Sequence, residues 1–240
     1  MELRRIPNMA TMNSRRVTNP DQSETIRQRL YDFQLYPAAG QQAFTFFSQP
    51  VGTGKTSTPG AVAGSAKLYS DTNMEAANTL PSGKMFLIES IEVLFQPGSV
   101  ATADTFTPGA LMGALGAIGA AQVGAVNDVN LFYNTGMLAF KVLDKNYLRE
   151  ILMRSFPPKT FMRLDSSIAG VDSDLATTST FGVQNLYPDG RPYYLEPEIS
   201  LQPAVNFSVT IDTPVAQALP SGFNGRVGII LDGYMLRASQ

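Results

Sequence analysis

The feature that most limits the fold is a repeated rhythm of short apolar runs, most of them closed by Pro, Gly, Asn or Asp. Twelve such runs occur, over residues 31–36, 43–47, 66–69, 85–95, 129–133, 137–143, 147–153, 160–164, 180–186, 193–195, 199–211 and 227–236. Punctuation of this kind is what strands closed by turns require. Residues 85–95 read MFLIESIEVLF, with Met85, Leu87, Glu89, Ile91, Val93 and Phe95 forming the more apolar of two alternating faces. The alternation predicts a long strand with that side buried. Helices and strands do not alternate along the chain, which argues against a parallel α/β fold and for an antiparallel sandwich.

Two stretches interrupt the rhythm. Residues 53–64 (TGKTSTPGAVAG) are small, polar and Gly-rich and predict a flexible surface loop. Residues 109–126 carry no charge, and Leu111, Leu115 and Ile118 can share one helical face, although five Gly weaken it by about 1 kcal/mol each relative to Ala. A bilayer span fits the length, but the side chains are mostly Ala and Gly, so a short helical insertion near 98–127 is the expectation.

The absent residues exclude most common catalytic chemistry. The chain has no His and no Cys, so it holds no Ser-His-Asp triad, no His or thiolate metal site, no disulfide and no Fe–S cluster. Carboxylates, Lys, Tyr and Ser/Thr remain. Glu89 and Glu92, three apart on a strand, are expected on opposite faces; Glu196 and Glu198 share a face but flank Pro197, which suggests an edge or a turn. A pair of carboxylates can hydrolyse a glycoside, yet any chain with 20 acidic residues offers such pairs. Asp165, Asp172 and Asp174 are the candidates for a Ca²⁺ site, with a spacing unlike that of the EF-hand.

Residues 49–56 (QPVGTGKT) look like a phosphate-binding loop, with residues 227–232 as an acidic partner strand. The pattern needs Gly where Gln49 stands, and Pro59 and Gly60 would break the helix that must follow Lys55. No catalytic residue, cofactor or metal is therefore expected, and the chain is not expected to be an enzyme.

Charge is scarce and uneven. Charged residues make up 16%, the net charge is −2, and residues 1–29 hold Arg4, Arg5, Arg15, Arg16, Arg27 and Arg29 against Glu2, Asp21 and Glu24. With Pro7 and Pro20 and little apolar periodicity, residues 1–29 read as an extended Arg-bearing arm, with a short helix as an alternative over its last turn from Ser23. Such an arm can lie along a phosphate backbone or thread between subunits. The rest, residues 30–240, reads as one β domain. Low charge together with 10 Met, 14 Phe and 9 Tyr suits a surface made for contact.

The arm is followed by QQAFTFFSQPVG, DTNMEAANTLPSGKMFLIESIEVLF, NTGMLAFKVLDKNYLREILM and GFNGRVGIILDGYMLR. In texture and strand order these segments resemble jelly-roll major capsid proteins of tailless icosahedral bacterial viruses. The resemblance implies an all-β antiparallel jelly roll in a structural protein made in the host cytoplasm and residing in the virion; chain length and strand count favour one elaborated roll, with a double jelly roll as the rival. Its partners would be copies of itself in an icosahedral shell, other virion proteins, and the viral genome or an inner membrane through the arm. Another virion component (spike, tail or minor capsid protein) or a lectin-like carbohydrate-binding roll are the alternatives.

Overall fold

The computed structural model describes residues 23–99, 104–108, 120–156, 161–168, 179–186 and 192–238. The described residues are mostly β and form an all-β sandwich. The strands are β1 (Ser23–Tyr36), β2 (Ala43–Phe46), β3 (Lys84–Gln96), β4 (Met137–Val142), β5 (Lys145–Leu152), β6 (Phe161–Ile168), β7 (Ser179–Leu186), β8 (Tyr193–Leu201), β9 (Phe207–Asp212) and β10 (Gly225–Ala238). One described helix, α1 (Ala120–Thr135), lies between β3 and β4.

Eight strands build two four-stranded antiparallel sheets, ordered β1-β10-β3-β8 and β2-β9-β4-β5, while β6 and β7 pair as a separate ribbon. The partners nest: β1 pairs with β10, β2 with β9, β3 with β8 and β4 with β5. Two further pairings, β10 with β3 and β9 with β4, join these ribbons into sheets.

Alternation sets the inner faces. In β9 Phe207, Val209 and Ile211 are buried, in β4 Leu138, Phe140 and Val142, and in β10 Val227, Ile229, Leu231 and Met235. Both sheets contribute to one core, as does α1 through Val129, Phe132 and Tyr133. Aromatic rings join the layers: Tyr36 stacks on Phe44 at 4.9 Å, and Phe95 on Phe132 at 4.7 Å. Each such ring contributes about 1.5–3 kcal/mol by leaving water.

Three expectations need correction. Residues 129–133 were expected as a strand but belong to α1. Ala125, Val129, Phe132 and Tyr133 recur at helical spacing and are buried, whereas a five-residue window shows too little of that period to separate it from a strand. The helical alternative from Ser23 is replaced by strand: Ser23 to Arg29 pair with Ala238 to Asp232, because the length of β10 offers them a ladder. Thus the sheet starts inside the segment read as an arm. Residues 66–69 form a loop rather than a strand.

The face assignment of β3 is corrected as well. Its core residues are Phe86 and Ile88, then Ile91, Val93 and Phe95. The switch happens at a β-bulge: Ser90 pairs with Asp232 and Ile88 with Gly233, leaving Glu89 as the extra residue. One inserted residue inverts the parity of everything beyond it. Gly233 is required opposite the bulge, since a Cβ there would lie 1.9 Å from the carbonyl oxygen of Leu87.

Candidate functional site

The bulge gathers charge on the outward face of the first sheet. Arg27 lies opposite Tyr234 and Arg29 opposite Asp232. Arg27 Nη2 donates to Asp232 Oδ2 at 2.7 Å, and its Nη1 is 3.4 Å from Glu89 Oε2. The guanidinium also sits 5.5 Å from the centre of the Tyr234 ring. The hydrogen bond to Asp232, against the opposing effect of burial, holds the Arg27 guanidinium above its usual value. Arg29 Nε approaches Asp232 Oδ1 at 3.8 Å. The Asp232 side chain is only 3% exposed, so this is an anchor for the root of the arm. Two of the six arm arginines are thus matched by carboxylates of their own sheet. Arg4, Arg5, Arg15 and Arg16 lie outside the described residues.

The bulge also overturns the expectation that Glu89 and Glu92 point apart. Glu89 precedes the parity switch and Glu92 follows it, so both lie on the outward face, Glu92 opposite Ile230. Glu89 is engaged by Arg27. Glu196 and Glu198 fall where β8 leaves register, between Tyr194 and Ile199, and β8 is an outermost strand. Pro197 therefore sits at a sheet edge, as the sequence suggests. Asp165 falls in β6, whose backbone alone is described, and Asp172 and Asp174 lie outside the described residues. Among the described residues no group of three acidic side chains is placed to hold a metal ion.

The phosphate-loop likeness finds no matching geometry. Lys55 is followed by turns rather than a helix, and its Nζ bonds Asp104 Oδ1 at 2.8 Å. Arg226, at the start of β10, bonds Ser57 of this loop, so Asp232 lies six residues along the strand, about 20 Å away. That is too far to share a magnesium ion.

A second cluster, not foreseen from the sequence, fixes the long connection between β2 and β3. Lys67 Nζ donates to Asp32 Oδ1 at 2.5 Å, with both side chains almost wholly buried. Asp32 Oδ2 accepts the backbone N–H of Phe47 at 2.8 Å, holding that residue at φ 65°. Burial pushes the Asp32 carboxyl up, and Lys67 opposes the shift. Next to it, Asp71 accepts bonds from Thr56 Oγ1, the N–H and hydroxyl of Ser57, and the N–H of Leu68. Burial raises the Asp71 carboxyl, yet these bonds together outweigh it and hold the group below its ordinary value. Arg226 Nη2 reaches Asp71 Oδ1 at 3.3 Å while its guanidinium lies 4.2 Å from the Phe33 ring centre. Burial lowers Arg226, with Asp71 acting against it. The Gly-rich stretch expected to be flexible is thus tied to the sheet at Thr56 and Ser57.

A cavity of about 150 Å³ beside the arm root is lined by Gln28, Leu30, Met74, Lys84 and Met235 among others. Ligand pockets usually measure about 300–1,000 Å³, so it suits small solutes only. No helix of the described residues is long and apolar enough to cross a membrane. No protein-family model matches the chain, and no curated protein or solved structure matches it either.

Proposed function

We propose that this chain is the major capsid protein of a tailless icosahedral bacterial virus, folded as a single jelly roll and assembling in many copies into a closed shell. The observation that carries the reading is the nested strand pairing. A chain laid out as one long hairpin, then rolled so that β1 meets β10, β2 meets β9, β3 meets β8 and β4 meets β5, is the winding of a jelly roll. All eight sandwich strands are used once, which supports one roll rather than two. Viral coats are a leading use of this winding.

The scarcity of charge, at 16%, favours a surface that is covered by other copies over one that must stay apart from them. The protein acts by contact and not by catalysis, and it resides in the virion. Residues 1–22 precede the anchored root in the chain, and in this reading Arg4, Arg5, Arg15 and Arg16 are the side chains that serve the genome, an inner membrane or a neighbouring subunit. Electron microscopy and sedimentation of the purified full chain test the reading. Closed particles of uniform size are expected; a chain that stays single at high concentration overturns it.

A further inference from the structure

Among the described residues, Lys67 and Asp32 are the amine and carboxyl group that meet most completely out of water, at 1% and 0% side-chain exposure. Both main chains are held in place. Asp32 lies within β1, and Lys67 N–H donates to the Thr53 carbonyl at 3.1 Å while the Lys67 carbonyl accepts Gly52 N–H at 2.9 Å. Lys67 Nζ rests 2.5 Å from Asp32 Oδ1, so it stands at most one C–O bond length farther from the carboxyl carbon. That is close to the separation of about 3–3.5 Å at which reacting atoms are poised. Asp32 Oδ2 is turned to the other side, where Phe47 N–H donates to it at 2.8 Å. A backbone donor at that spacing steadies an oxyanion as it forms. The neighbouring Asp71 is taken up by Thr56, Ser57, Leu68 and Arg226, which leaves Lys67 to Asp32.

We propose that Lys67 and Asp32 condense within the folded chain to an isopeptide amide, a covalent staple between β1 and the connection from β2 to β3. The step balances inside the pair. The ammonium passes one proton to Oδ1, which leaves an amine beside a carboxylic acid. Nζ attacks the carboxyl carbon, and the negative charge that develops on Oδ2 is held by Phe47 N–H. A second proton moves from Nζ to Oδ1, the bond from carbon to Oδ1 breaks, and water leaves. The products are one amide and one water, and no oxidant or other co-reactant is consumed. Burial favours the step, because two charges kept from water are costly and the amide carries neither. Burial also pushes the Asp32 carboxyl up, toward the acid form that the attack requires. Until the amide closes, the two groups stay an ion pair, with the stability and titration of separate side chains. The proposal stands apart from the assembly reading, and its test needs no assembly.

The test is intact mass spectrometry of the full chain, held folded at neutral pH and sampled over weeks. The chain should become lighter than its sequence by the mass of one water. Trypsin should then fail to cut after Lys67 and should release Leu30–Lys55 joined to Thr56–Lys84. That product has two amino termini, Leu30 and Thr56, which separates it from an uncut 30–84 peptide of the same mass. Chain kept unfolded in denaturant should retain its full mass, because the two residues are 35 apart in sequence and only the fold brings them together. Lys67→Arg keeps a cation opposite Asp32 but cannot condense, so it should also retain its full mass. The parent's peptide map decides even if that variant does not fold. A folded parent that keeps its full mass, with Lys67 open to trypsin, overturns the proposal. So does a water loss shared by the unfolded chain or by Lys67→Arg, which would come from elsewhere, such as a succinimide at an Asp-Gly step.

Discussion

At the scale of single residues, the buried Lys67–Asp32 pair is the feature with the sharpest consequences. Two charges out of water return little net stability when paired, but losing one partner strands the other. Lys67→Met should therefore cost about 3–5 kcal/mol in denaturant unfolding. Adding Asp32→Asn, which keeps an acceptor for Phe47 N–H, should recover most of that loss, and a double-mutant cycle will read the coupling. Asp71 gives a pH signature. Its folded-state pKa lies below its unfolded value, so the stability it supplies is complete above about pH 4 and is lost as pH falls through the folded value. Asp71→Asn should be less stable than the parent at neutral pH, with a shallower loss on acidification. Asp32 has the opposite sign: its raised pKa makes its contribution largest in acid and smaller as pH climbs through the interval between unfolded and folded values. None of this network was legible in the sequence, because Lys67 and Asp32 are 35 residues apart and Arg226 and Asp71 155 apart.

At the scale of elements, the bulge in β3 decides which side chains face water. Gly233→Ala would drive a methyl group into the Leu87 carbonyl, and unfolding should show a loss of about 1–3 kcal/mol or more. The existence of β4 and β10 could be read from their apolar runs, since each has a buried face, whereas β5 has no buried residue and the single run 199–211 proves to span the end of β8 and most of β9. The bulge could not, because an inserted residue leaves no mark in a pattern that is apolar on both sides, as MFLIESIEVLF is. For the same reason the shared outward face of Glu89 and Glu92 was hidden. Helix α1 was half visible: its buried stripe is short, and its first turn follows a stretch interrupted by Gly, a poor helix former. The strand character of Ser23 to Arg29 depends on a partner more than 200 residues away, which local capping signals cannot reveal.

At the scale of the whole molecule, the fold class was legible and its winding was not, because which strands meet is decided by long-range pairing. The anchored root makes the arm separable at a definite point. Removing residues 2–22 should leave the melting temperature of the sandwich unchanged, whereas removing residues 2–29 strips half of β1 from β10 and should lower it markedly. On the proposed coat role, shells of the shorter deletion should form but come out empty if the arm's arginines hold the genome, and should fail to form if the arm stitches subunits. If the arm serves the genome as proposed, the full chain should bind nucleic acid with an affinity that falls steeply with added salt, in proportion to the phosphates neutralised.

The nesting that pairs β1 with β10 also imposes a timetable on synthesis. At about 5–20 residues per second, β1 emerges from the ribosome roughly 10–40 s before Gly225–Ala238 can reach it. During that interval a 14-residue strand waits without its ladder, and only translation through β10 relieves it. A chain cut short by a premature stop is thus left unable to close its first sheet, which makes completion of the polypeptide itself the checkpoint for forming the sandwich.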